Sequence, residues 1–138
     1  MDLIIRNARI AGRTDNAPVD IAVDRGKIVA IQPKLAATGR EIDAAGRLVS
    51  PGFVEPHIHL DKSRIVDRCS SREGTLEEAI GEVARAKKAF TPEDFYTRAR
   101  QTLERAILHG TTHMRTHLEV DPGIGLRSLE GVLPLIKE

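Results

Sequence analysis

Two stretches of this chain alternate polar and apolar residues with a period of two, and the segment between them alternates with a period of 3.6. Residues 53–61 read F-V-E-P-H-I-H-L-D and residues 112–121 read T-H-M-R-T-H-L-E-V-D. Side chains on a β-strand point to opposite faces in turn. The first stretch therefore sorts into Phe53, Glu55, His57, His59 and Asp61 on one face and Val54, Pro56, Ile58 and Leu60 on the other. The second sorts into Thr112, Met114, Leu118 and Val120 against His113, Arg115, His117, Glu119 and Asp121. An apolar row along one face, with a polar row gathering toward the C-terminal end of the other, is the pattern of a parallel strand covered by helices outside and carrying a site at its mouth.

The intervening segment supplies the helices. Thr75 with Glu78 reads as a capping box, followed by Leu76, Ala79, Ile80 and Val83 on what is expected to be a buried face. Thr91, Pro92, Glu93 and Asp94 supply a cap, a first-turn proline and two acids for a second helix. Its inner face is Phe95, Ala99, Leu103, Ala106 and Ile107, with Gly110 placed to end it. His109, in the last turn, reads as a structural cation for the helix dipole. Leu126 to Glu138 reads as the opening of a third helix. Strand, two helices, strand, helix is an α/β order with parallel strands. The first fifty residues differ: short strands flank Asp24-Arg25-Gly26 and Ala44-Ala45-Gly46, both of which read as hairpin turns. A small sheet of this kind needs an apolar partner surface.

Composition removes several functions. The net charge of +1, with acids and bases interleaved, leaves no basic track for a nucleic acid or an anionic membrane. Aromatics at 3% and the absence of Trp remove the platforms on which bases stack. The start, M-D-L-I-I-R-N, fits neither a signal peptide nor a membrane span. Cys69 is the one cysteine, so no internal disulfide forms, and a reducing, cytoplasmic location is expected. Gly123-Ile124-Gly125 lacks the third glycine of a dinucleotide-binding fingerprint and reads as a turn.

The chemistry concentrates in His57 and His59. Two imidazoles on one strand face can reach a single cation, although such a pair also fits an ordinary polar strand surface. Pro56 cannot donate to a ladder and is expected at a bulge that aims the histidines. For the second stretch, a row of site residues (Arg115, His117, Glu119) and a solvent-facing edge strand are both open readings.

The segments D-A-A-G-R-L-V-S-P-G-F-V-E-P-H-I-H-L-D-K (43–62), G-T-L-E-E-A-I (74–80) and H-G-T-T-H-M-R-T-H-L-E-V-D-P (109–122) together resemble the amidohydrolase superfamily, and in particular its cytosine deaminase branch. The resemblance implies the start of a distorted (β/α)₈ TIM barrel over residues 52–138, plus half of a small N-terminal β-sandwich domain over residues 1–51. It implies one divalent metal ion, iron or zinc, with His57 and His59 as its first two ligands. Leu76 would line the substrate pocket, where an inner-face helix position is the alternative, and Arg115, His117 and Glu119 would lie near the site. The branch carries aspartate at the end of T-H-x-D-V where this chain has Glu119, longer by a methylene. The implied function is hydrolysis of C–N bonds on a pyrimidine- or triazine-type heterocycle. Ring-opening cyclic amide hydrolysis, as in dihydroorotase-like relatives, is the alternative within the fold. A non-catalytic assembly module is the alternative outside it. The third histidine, the glutamate and the aspartate of the family site belong to later strands, and a full barrel takes roughly 250 residues. The chain is therefore expected to be a truncated, N-terminal part of a larger enzyme. On its own it should hold no complete catalytic set, and it is expected to form a homo-oligomer or take the rest of its barrel from another chain segment.

Overall fold

A computed structural model describes residues 1–138, which divide into two compact units, Met1–Pro51 and Gly52–Glu138.

In the first unit β1 (Leu3–Ile10) is the organising strand. It pairs antiparallel with β2 (Val19–Asp24), which pairs antiparallel with β3 (Lys27–Gln32). Arg25 and Gly26 close the β2–β3 hairpin with φ of 48° and 71°, the positive pair that matches strand twist in a two-residue turn. The second turn does not make a hairpin. β4 (Arg40–Asp43) and β5 (Leu48–Val49) both run parallel to β1, side by side along its length. β1 is irregular between Ile5 and Ala8, and Asn7 there has φ of 53°. The Ala44–Gly46 loop steps across this kink, with Ala44 and Gly46 donating to the carbonyls of Arg6 and Asn7. The chain bends at Ala45 and Gly46 but keeps its direction.

Ala8, Ile21 and Ala44 form the buried cluster of this unit, with Ile5, Ile10 and Val49 against it. Arg6 is half enclosed and answers Asp20 at 2.8 Å, Glu41, and the carbonyls of Leu35 and Ala37. Ile28, Val29, Ile31, Ile42 and Leu48 remain exposed. The partner surface that such a sheet requires is thus not supplied within the unit.

The second unit is α/β. β6 (Phe53–Ile58) and β7 (Thr111–Thr116) pair in parallel, joined by a crossover containing α1 (Leu76–Ala86) and α2 (Pro92–Leu108). Parallel neighbours need such a crossover. Thr91 caps α2 by accepting from the Asp94 amide, Pro92 occupies the first turn, and Gly110 leaves the helix at φ of 92°. Phe95 and Ala99 are buried and Leu103 and Ala106 are half-buried, but Ile107, at the end of the expected inner face, is exposed. Phe95 meets Phe90 edge to face at 5.6 Å in a cluster with Ile65, Ala86 and Ile124. A second cluster joins Leu60, Ala99, Val132 and Leu135, with Ile58, Met114 and Leu118 against it.

Four expectations are corrected here. α1 forms where expected and Thr75 accepts from the Glu78 amide, but the Glu78 carboxylate does not return to Thr75. It accepts instead from the amides of Arg72, Glu73 and Gly74, which pins the preceding loop. The apolar face of α1 is covered only at its C-terminal end, where Val83 packs against the Phe90–Phe95 cluster: Leu76 is 75% exposed and Ile80 60%. The strands are also shorter than the alternation implied. β6 ends at Ile58 and Leu60–Lys62 turn as a 3₁₀ element, because the Leu60 amide donates to the Thr116 hydroxyl rather than to a ladder carbonyl. β7 ends at Thr116. The third helix is limited to α3 (Arg127–Val132), which passes into a 3₁₀ turn over Leu133–Ile136 where Pro134 lacks the amide to continue it. No helix is long and apolar enough to cross a membrane.

Candidate metal centre

The C-terminal ends of β6 and β7 bring three imidazoles together. The register of the two strands slips between Glu55 and Ile58, so that β6 carries one residue more than β7 across Pro56 and His57. A bulge of this kind bends a strand and re-aims a side chain. Beyond it, the Nε2 atoms of His57 and His59 converge to 3.4 Å. The His117 ring lies 4.3 Å from that of His57 and 5.4 Å from that of His59, centre to centre, and the His117 amide donates to the Ile58 carbonyl at 2.8 Å.

The separation of the two Nε2 atoms is long for a hydrogen bond between rings. Two nitrogens bound to one tetrahedral ion at 2.0–2.1 Å stand about 3.4 Å apart, so the pair fits two adjacent ligand positions on a zinc-like ion. The pair is half a site: no group of three His, Cys, Asp or Glu side chains is arranged to hold an ion.

Asp61 links the histidines to a cluster of charged side chains that follows the two strands. Asp61 is 1% exposed, and its Oδ2 accepts from the Glu119 amide at 2.8 Å. Its Oδ1 stands 3.8 Å from Nδ1 of His59. The Glu119 carboxylate reaches Lys87 at 3.0 Å and Lys62 at 3.3 Å, and Lys87 also holds Asp121. Burial works to raise the Glu119 carboxyl, but the two lysines outweigh it and keep the group below the usual carboxylate range. Lys87 is raised by its bond to Asp121, against the effect of burial. Arg115 is exposed and makes no ion pair, and Leu76 projects from the first turn of α1 without joining a buried cluster. The expected residues thus separate: His57, His59 and His117 converge, Glu119 sits in the lysine cluster, and Arg115 and Leu76 stand apart from any such cluster. Gly123-Ile124-Gly125 is a turn, closed by the Gly125 amide on the Asp121 carbonyl at 2.7 Å.

Sequence reasoning left out Arg98, Lys62 and Lys87. The Asp94–Arg98 spacing of four on α2 signals the ion pair that the structure contains. Nothing local signals that Arg98 is only 4% exposed and donates to the carbonyls of Asp61 and Ser63 at 2.8 Å each.

Residues 40–133 match the amidohydrolase family. The chain belongs to that family. Among curated proteins it is 36% identical over 143 residues to N-isopropylammelide isopropyl amidohydrolase of Pseudomonas sp. (strain ADP), covering 99% of this chain and 35% of that protein. Among solved structures, the 5-methylcytosine deaminase from Klebsiella pneumoniae liganded with 5-fluorocytosine superposes with a TM-score of 0.82 at 36% identity, covering 97% of this chain and 33% of that one. The atrazine chlorohydrolase from Arthrobacter aurescens TC1 complexed with zinc superposes with a TM-score of 0.60 at 25% identity, covering 96% and 33%. This amidohydrolase-family chain therefore spans about a third of the length of the relatives it matches.

Proposed function

We propose that the full-length protein is a cytoplasmic, metal-dependent hydrolase that releases ammonia or an amine from an amino-substituted pyrimidine or triazine ring. This chain would contribute His57 and His59 as the first two ligands of a single divalent ion, zinc or iron. The observation that carries this is the 3.4 Å approach of the two Nε2 atoms beside His117 at the C-terminal ends of parallel strands, where sites in such sheets are built. The relatives named above support the substrate class, and the zinc-bound relative supports the ion.

An ion there would act as a Lewis acid and bring the pKa of water toward neutrality. The chain's own groups have separate tasks. His57 and His59 present ring nitrogens from one strand end, beyond the bulge at Pro56, with their ring planes at 52° to each other. His117, just past the end of the neighbouring strand, closes one wall. The Glu119, Lys62 and Lys87 cluster fixes the end of the second strand and concentrates charge that can orient a polar ring. Met1–Pro51 would be part of a β-sandwich and Gly52–Glu138 the opening of a (β/α)₈ barrel, with the remaining ligands and the proton-transferring acid on later strands. Glu119, where cytosine deaminase-like relatives carry aspartate, would narrow the pocket and bias it among heterocycles.

The test uses the full-length gene product. Metal content is measured alongside ammonia or isopropylamine release from cytosine, 5-methylcytosine and N-isopropylammelide. Turnover on at least one compound, with metal and turnover both lost in His57→Ala, is the expected result. A metal-loaded protein inert toward all three would overturn the substrate class, and a His57→Ala protein that keeps its metal would remove that ligand.

A further inference from the structure

We propose that Asp61 is the positioning residue of this centre, a role that rests on His57 and His59 being metal ligands: its carboxylate accepts a hydrogen bond from Nδ1–H of His59, which keeps the proton on Nδ1 and leaves Nε2 free to bind the ion. A carboxylate 1% exposed is costly to bury unless its oxygens are bonded. One oxygen is accounted for by the Glu119 amide. The other, Oδ1, has no partner, and neither has Nδ1 of His59; both atoms are buried and they face each other at 3.8 Å. A carboxylate oxygen only accepts, so a proton on Nδ1 is what would satisfy both atoms once the rings settle around an ion and the gap closes to hydrogen-bond distance. The opposite nitrogen of the same ring is the one that approaches Nε2 of His57. A histidine ligand held this way has its tautomer and its plane set from behind.

Asp61 is itself held from two sides. Arg98 donates to the Asp61 and Ser63 carbonyls, pairs with Asp94 at 2.9 Å and lies over the Phe90 ring at 4.6 Å. The Glu119 amide that Asp61 accepts lies two residues beyond His117. One carboxylate thereby ties the ring at the end of β6 to the chain that leaves β7.

Zinc affinity of the full-length protein is measured by competition with a chromophoric chelator, for wild type and three variants. Asp61→Asn weakens zinc roughly 10- to 100-fold, because one amide oxygen cannot accept from both the His59 ring and the Glu119 amide. Ser128→Ala, which removes a hydroxyl bonded to the Glu119 carbonyl without touching Asp61 or a histidine, leaves zinc affinity unchanged. Unchanged affinity in Asp61→Asn, or an equal loss in Ser128→Ala, overturns the positioning role. His57→Ala separates this from the ligand assignment: if it loses zinc while Asp61→Asn does not, only the role of Asp61 fails, and if it retains zinc the assignment beneath it fails. Should Asp61→Asn not fold, ¹⁵N-histidine NMR of the zinc-loaded wild type decides. A proton on Nδ1 and zinc on Nε2 of His59 is the expected pattern, and zinc on Nδ1 overturns the proposal.

Discussion

Asp20 shows how a single buried charge stabilises the N-terminal unit. It accepts from Arg6 and from the amides of Asn7 and Leu35, and the Arg6 bond is the largest influence holding its carboxyl below the ordinary value of 3.8. A carboxyl depressed in the folded state contributes stability that is complete above its unfolded value and is lost as pH falls through the lower folded one. Acidification below about pH 4 should therefore lower the melting temperature of the wild type, and Asp20→Asn should lose that part of the dependence. Parallel pH profiles for the two proteins would show that Asp20 carries no such linkage. At this scale the sequence was informative about His57 and His59, because alternation along a strand is a local property. It was uninformative about Asp61 and Arg98. Charged residues belong by default to the surface, and only the packing of α2 against the 3₁₀ turn after β6 buries these two.

Between elements, close approach decides more than propensity. A Cβ added to Gly131 on α3 would stand 2.5 Å from the Pro92 carbonyl oxygen and 2.6 Å from Cβ of Phe95, so α3 sits against the start of α2 only because that side chain is missing. Gly131→Ala should cost about 1–3 kcal/mol in urea unfolding, the usual penalty for overpacking. Gly81, in the middle of α1, has open space around it. Gly81→Ala should stabilise by about 0.5–1 kcal/mol through helix propensity alone. Equal effects of the two changes would contradict this packing. The helices were legible because caps and a 3.6 period are written locally, as at Thr91 and Pro92. The second apparent hairpin was not: Ala45 and Gly46 announce a bend, but whether the chain reverses depends on the kink at Asn7, a distant residue of another strand. The burial of α1 was illegible for a related reason. Periodicity identifies an apolar face without saying what covers it.

Taken as a molecule, the chain leaves several large apolar side chains exposed where their elements would meet further structure. Leu76 and Ile80 on α1, Phe53 and Val54 on β6, and Ile107 and Leu108 on α2 are all exposed, and β6 and β7 form a sheet of only two strands. Two parallel strands with uncovered faces and open edges are a marginal arrangement in water. The chain spans about a third of its relatives, so the proposed barrel would cover these faces with later strands and helices. The 138-residue polypeptide alone should consequently bind a hydrophobic dye such as anilinonaphthalene sulfonate and self-associate as its concentration rises, measured by fluorescence and light scattering. The full-length gene product should do neither through these residues. Replacing Leu76 and Ile80 together with Lys should reduce dye binding by the short chain, yet destabilise the full-length protein, because the same face would then have to be buried with its charges. A short chain that stays monomeric and dark with the dye would mean that these faces are satisfied without the rest of the barrel.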